Sequence, residues 1–385
     1  MRVFLVAGEP SGDRLGGALM EGLKTLVPNV EFSGVGGPLM EAQGLNSQFP
    51  MSELSVMGLV EVLPKFFHLK RRIAETAQAV LDTQPDVLIT IDSPDFSLRV
   101  AKIVKAASDI RTVHYVAPSV WAWRPGRADE MAKVIDHVLA LLPFEPPYME
   151  RAGMECDFVG HPVVNEPLAS DQDIQKFRAD HDLGNAPIVL ALPGSRRGEV
   201  ERLAPIFGAA LDEFLKDRAD TRVVVPAVAH MVDMVSDHIN DWPGHPVVVD
   251  PRKLPSDEAQ SQKRAAFAAA DLALAASGTV SLELAAQATP MVIAYNLNWL
   301  TTQIAKRMVK LDTVTLVNLV SDSHAVPECL LEDCDPTKIA DSLKQVAGAP
   351  DAQNRAMATT MERLGRGGEA PGLRATRAVL DRMNA

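Results

Sequence analysis

The sequence predicts an α/β protein of two doubly wound domains facing each other across a cleft, followed by a helical segment. Three observations lead there. Short β-branched apolar runs alternate with amphipathic stretches, as in a parallel sheet with helices on both faces. The alternation restarts once, after "FVGHPVVNEP" at residues 158–167. From Asp351 onward the pattern is helical with no strand signal. The expected domains are 1–164, 165–345 and 346–385.

In the first half "RVFLVA", "VEFSGVGG", "DVLITI", "RTVHYV" and "HVLALL" read as strands. Helical patterns at 16–27 and 73–83 lie between them. The second half repeats this architecture with "PIVLAL", "TRVVVPAV", "PVVVD", "DLALAAS" and "PMVIAYN". A length of 385 residues, 47% hydrophobic and 23% charged, suits two soluble cores. A net charge of −12 argues against nucleic acid as a partner. The run before Gly8 is too short for a secretory signal, and no apolar run approaches the ~20 residues of a membrane span. Cys156, Cys329 and Cys334 form no CxxC pair, so free thiols in the cytoplasm are expected.

Ligands of open α/β sheets gather at the carboxyl ends of strands, so the loops there hold the chemistry. "VAGEPSGDRLGG" has a nucleotide turn's grammar without a dinucleotide or Walker spacing. Glu9 repels phosphate but accepts hydrogen bonds from sugar hydroxyls. Ser11 or Asp13 is the expected cap of the following helix. In "ITIDSPDFSLRV", Asp92 directly follows a buried run and suits a general base; Asp95 suits a helix cap. "LPGSRRGEVERL" puts Ser195, Arg196 and Arg197 at a strand-to-helix turn, an anion site in prospect. "LAASGTVSLELA" offers Ser277, Gly278 and Thr279 to a diphosphate, and Glu283 either to ribose hydroxyls or to solvent. "HYVAPSVWAWRPGR" sets Trp121 and Trp123 before Arg124 and Arg127, a loop fit for a sugar face or a phosphate. The triplets Asp171–Asp173 and Asp333–Asp335 read as helix-start acids rather than metal ligands.

"AGEPSGD", "VMGLVEVL", "IDSPDF", "HYVAPSVWAWR", "LLPFE", "LPGSRRGEVE" and "ASGTVSLE" occur in this order. Together they resemble the lipid A disaccharide synthases, inverting glycosyltransferases with two Rossmann-like domains (the GT-B architecture). The resemblance spans essentially the whole chain and is weakest after residue 345. It implies a UDP-2,3-diacylglucosamine donor, a 2,3-diacylglucosamine 1-phosphate acceptor and a β-1,6-linked product, with no metal or other cofactor. It implies Asp92 as base, with Arg196, Ser195 and residues 277–279 at the departing diphosphate. Glu283 is then expected at the ribose and Asn318 of "TLVNLV" near the donor. Glu9, Ser11 and Trp123 are expected on the acceptor side. Two other classes compete: a UDP-sugar epimerase on the same scaffold, and a non-catalytic lipid or nucleotide binder.

Diacylated substrates further imply work at the cytoplasmic face of the inner membrane. "GLVEVLPKFFHLKRR" at 58–72 is the expected docking patch, with Phe66, Phe67, Lys70, Arg71 and Arg72 as contacts and Pro64 breaking any long helix. A buried helix with a basic end is the rival reading. The final helix has two destinations open to it, the first domain or a second copy in a homodimer.

Overall fold

The computed structural model describes residues 1–54, 59–122, 126–296 and 312–383, with the backbone alone for 59–66. Trp123 and Arg124 lie outside the described residues, as does the side chain of Phe66. The chain forms two compact units: Met1–Asn165 with Leu364–Ala385, and Glu166–Arg363.

The first unit holds a parallel sheet of β1 (Arg2–Ala7), β2 (Glu31–Val35), β3 (Val87–Ile91), β4 (Arg111–Tyr115), β5 (His137–Ala140) and β6 (Glu155–Phe158), in the order β2-β1-β3-β4-β5-β6. The second holds β7 (Ile188–Leu192), β8 (Arg222–Pro226), β9 (Val247–Val249), β10 (Leu272–Ala275), β11 (Met291–Tyr295) and β12 (Glu328–Leu330), in the order β12-β11-β10-β7-β8-β9. The central strands are apolar without alternation because helices cover both faces. Val3, Phe4, Leu5, Val6 and Ala7 of β1 are all fully buried. The edge strands β6 ("ECDF") and β12 ("ECL") escape a reading by apolar runs because they are short and partly polar.

Three local features differ from the sequence expectation. The first helix spans Pro10–Leu26, so most of the glycine-rich "loop" is helix with proline in its first turn. Its glycines permit close packing: a Cβ on Gly16 would sit 2.5 Å from the Met40 sulfur. Next, the buried Asp13 does not cap its own helix. Its carboxylate accepts from the N–H groups of Gly37, Leu39 and Met40 at 2.9–3.0 Å, capping helix Pro38–Ala42 instead. Finally, Pro64 lies inside helix Leu59–Thr83 rather than ending it. Near the start of so long a helix, a proline forfeits one ladder bond and the rest of the ladder continues.

The stretch 346–385 is helical and divided between the units. Helix Asp351–Arg363 belongs to the second, where the Gln353 side chain pairs with both backbone groups of Met291 at 2.7 and 2.8 Å. Helix Pro371–Met383 packs on helix Pro10–Leu26 of the first. Small residues allow that approach: a Cβ on Gly372 would lie 2.7 Å from the Ala18 carbonyl oxygen. Arg382 Nε donates to Asp157 of β6 at 3.0 Å, and Arg374 donates to the Phe158 carbonyl at 2.9 Å. Gly372→Val should therefore overpack this contact and cost roughly 1–3 kcal/mol. A lower denaturant midpoint by circular dichroism is the expected result; an unchanged midpoint would show that the helices can separate freely.

Candidate functional site

Strand order decides which loops meet. In the first sheet the chain runs from β1 to β2 on one side, then returns to β3 on the other. The topological switch point therefore lies between β1 and β3. Ala7 pairs with Ile91, which brings Gly8 and Glu9 alongside Asp92 and Ser93. A Cβ on Gly8 would stand 2.5 Å from Ser93 Oγ, so only glycine fits there without a shift.

The backbone at this edge is strained. Asp92 and Ser93 hold φ of 50° and 45°, and Val116, after the neighbouring β4, holds 86°. A β-branched residue in that region is costly, and such outliers concentrate where side chains must be aimed. Asp92 is locked by its own N–H to the Tyr115 carbonyl at 3.0 Å and by the Ser97 hydroxyl on its carbonyl at 2.8 Å. Asp92 Oδ1 accepts from the Ser93 N–H at 2.9 Å, while Oδ2 has no hydrogen bond to any described residue. Asp95 is exposed in the first turn of helix Pro94–Ala107.

Asp92 lines a pocket of about 230 Å³ together with His114, Val116, Pro118, Ser119 and Arg127. His114 is buried, and desolvation holds its imidazole down to about 4, neutral near pH 7. Its Nδ1 lies 2.7 Å from Thr90 Oγ1, and Nε2 has no partner among the described residues. The pocket's loop is tied from beneath. Trp121 Nε1 donates to the buried Glu145 at 3.2 Å and stacks edge-on against Phe144. Glu145 also accepts from the Leu142 N–H at 2.9 Å, yet burial pushes its carboxyl up to about 7. This tie joins the "VWAWR" and "LLPFE" motifs. Glu9 is the N-cap residue of the first helix, and Ser11 is exposed in its first turn.

The second unit repeats the logic. Its switch point lies between β7 and β10, and Leu192 pairs with Ala275, bringing residues 194–196 beside 277–279. Gly278 and Thr279 are exposed, and Ser277 is half-buried. The Arg196 side chain is 73% exposed and lies 3.5 Å from Glu199. The amides expected to face an anion have an internal acceptor: Glu199 Oε2 receives the N–H groups of Ser195 at 3.1 Å and Arg196 at 3.3 Å. Tyr295 holds the other Glu199 oxygen at 3.2 Å. Glu199 stands at the third position of helix Arg197–Leu215, where capping-box spacing makes such a bond legible in sequence.

Two further residues are engaged internally. Glu283 pairs with Lys263. Asn318 is buried; it donates to the Val326 carbonyl at 2.9 Å and to Thr313 at 3.2 Å, and accepts from the Val326 N–H at 2.9 Å. It therefore ties the turn after helix Leu316–Ser321. The acidic triplets serve helix starts: Asp173 completes a capping box with Ser170, and Asp335 caps helix Pro336–Gly348. On helix Leu59–Thr83, Phe67 is 82% exposed, and Lys70 and Arg71 are exposed as well. Arg72 turns inward to Glu53 and Glu75, both at 2.8 Å, and stacks on Phe49.

A family model described as lipid-A-disaccharide synthetase matches residues 3–369. A lipid-A-disaccharide synthase from Ruegeria pomeroyi is 73% identical, covering 100% of this chain and 96% of its own. One from Rhodospirillum centenum is 45% identical over 98% of this chain and 94% of its own. A UDP-GlcNAc 2-epimerase from Neisseria meningitidis, solved bound to UDP-GlcNAc, superposes with a TM-score of 0.66 over 100% of both chains at 13% identity, which shows a shared fold. Two doubly wound units, a carboxylate and an arginine at their switch points and this run of sequence identity agree: the chain belongs to the lipid-A-disaccharide synthetase family.

Proposed function

We propose that this chain transfers 2,3-diacylglucosamine from UDP to the 6-hydroxyl of 2,3-diacylglucosamine 1-phosphate, with inversion and without a metal. The single observation that carries the proposal is Asp92, held in a strained turn at the switch point of the first unit with one carboxylate oxygen unbonded among the described residues. In this reading Oδ2 takes the proton of the acceptor hydroxyl as that oxygen attacks the sugar C1 and UDP departs. One base and one stabilised leaving group suffice for inversion. Glu9 and Ser11, at the same edge, meet the acceptor sugar, and Trp123 follows them on the resemblance of its motif.

The donor is assigned to the second unit. Exposed Arg196 and residues 277–279 meet the diphosphate, while Ser195 and Glu199 hold the turn that presents Arg196. Glu283 exchanges Lys263 for ribose hydroxyls, and Asn318 acts by fixing the loop it ties. UDP-GlcNAc in the Neisseria meningitidis epimerase supports a UDP-sugar on this fold. The epimerase reading itself has only fold likeness behind it, against 73% identity to a synthase.

Asp92→Asn should lower kcat by ~10²–10⁴-fold and leave UDP affinity unchanged. Wild-type turnover of this variant would remove Asp92 from the chemistry. Arg196→Ala should weaken UDP binding in calorimetry and slow turnover together, because ground state and departing diphosphate carry the same charge. Chelation by EDTA should leave the rate intact, whereas loss restored by a divalent ion would overturn the metal-free mechanism.

Docking on the inner leaflet is assigned to Phe67, Lys70 and Arg71, with Phe66 beside them in sequence. Among the described residues no helix is long and apolar enough to cross a membrane. Each buried CH₂ holds a diacyl substrate in the bilayer by ~0.8 kcal/mol, so the enzyme must come to it. Phe67→Ser with Lys70→Glu and Arg71→Glu should reduce binding to anionic vesicles and raise KM for lipid substrates, without loss of fold. Arg72→Glu should instead lower stability through Glu53. Normal vesicle binding by the triple variant would place docking elsewhere.

A further inference from the structure

The pocket beside Asp92 contains a second charge to which the proposed mechanism gives no role. Arg127, in the short helix Gly126–Met131, lines the same pocket and is half-buried. It makes no ion pair or hydrogen bond with any described residue, although Asp92 lines the pocket with it. A cation and an anion are thus kept in one small cavity without neutralising each other. His114, held neutral by burial, and the exposed Ser119 line the pocket with them. Leu98 and Met131 supply apolar wall. Such a pocket matches a ligand that offers a hydroxyl to the carboxylate and an anion to the guanidinium.

Size narrows the class. At about 230 Å³ the pocket lies below the ~300–1,000 Å³ typical of drug-sized ligand sites. It suits one sugar ring with a phosphate and leaves acyl chains outside. We infer that Arg127 is the receptor for the acceptor's 1-phosphate, and that this contact selects a phosphorylated sugar and turns its 6-hydroxyl toward Asp92. The inference rests on the acceptor assignment above. Arginine suits the role because its planar fork donates two parallel hydrogen bonds to phosphate oxygens, whereas lysine presents a point charge.

The experiment compares two acceptors, diacylglucosamine with and without its 1-phosphate, on the full-length chain. Arg127→Gln should lower kcat/KM for the phosphorylated acceptor by roughly ten- to a hundredfold, mainly through KM. It should leave the unphosphorylated acceptor and UDP affinity unchanged. Arg127→Lys should show a smaller loss confined to the phosphorylated acceptor, and it serves as the test if the glutamine variant folds poorly. Inorganic phosphate should compete with acceptor in wild type and not in Arg127→Gln. An equal loss with both acceptors would make Arg127 a support of the loop, and no loss would remove it from the site; either result overturns the inference. Asp92→Asn, assayed alongside, should fail with both acceptors. Activity of that variant would sink the base assignment independently of Arg127.

Discussion

Hydrogen bonding between β1 and β3, and between β7 and β10, is the constraint on which the rest of the structure depends. Each pair joins strands distant in sequence, and each parallel register aligns their carboxyl ends to the residue. Gly8 meets Ser93 because Ala7 meets Ile91. Residues 194 and 277 meet because Leu192 meets Ala275. A slip of one residue would turn the side chains of β3 over and carry Asp92 away from Glu9. Burial of both sheet faces opposes such a slip: Val87, Leu88, Ile89 and Ile91 are all fully buried.

The first unit uses that rigidity to sustain backbone strain. Asp92, Ser93 and Val116 occupy left-handed conformations at adjacent strand ends, each of order 1–3 kcal/mol. The second unit shows no such cluster at its switch point. There the loop after β7 is held by Glu199, whose carboxylate replaces the missing helical partners of two N–H groups. The two edges thus solve different problems. One fixes a carboxylate in a single direction, and the other leaves a long arginine side chain room to reach.

Much of this was legible in the sequence, for identifiable reasons. Buried parallel strands are continuous apolar runs, so β1, β3, β4, β5, β7, β8, β10 and β11 announce themselves. Asp92 was legible because an acid directly after such a run emerges at the strand end. Strand order was not, since nothing local in "RVFLVA" or "DVLITI" says that they pair. Asp13 was misread for the same reason: its partners at Gly37, Leu39 and Met40 lie on a helix that only the fold brings close. Arg72 looked like one more basic residue of a patch, and only Glu53, nineteen positions earlier, shows where it turns. The internal bonds of Asn318 and Glu283 likewise depend on elements that sequence spacing does not join.

Helix Pro371–Met383 gives the first unit an unusual timetable. It completes the wall over helix Pro10–Leu26, yet a ribosome makes it only after all of Glu166–Arg363. At ~5–20 residues per second, the first sheet waits on the order of ten seconds or more for its last covering piece. Glu166–Arg363 is continuous in sequence and waits for no later segment. The half of the molecule that is synthesised first is therefore the half that is finished last, and Ala18, Leu19 and Gly22 are among the residues it leaves uncovered to the cell in the meantime.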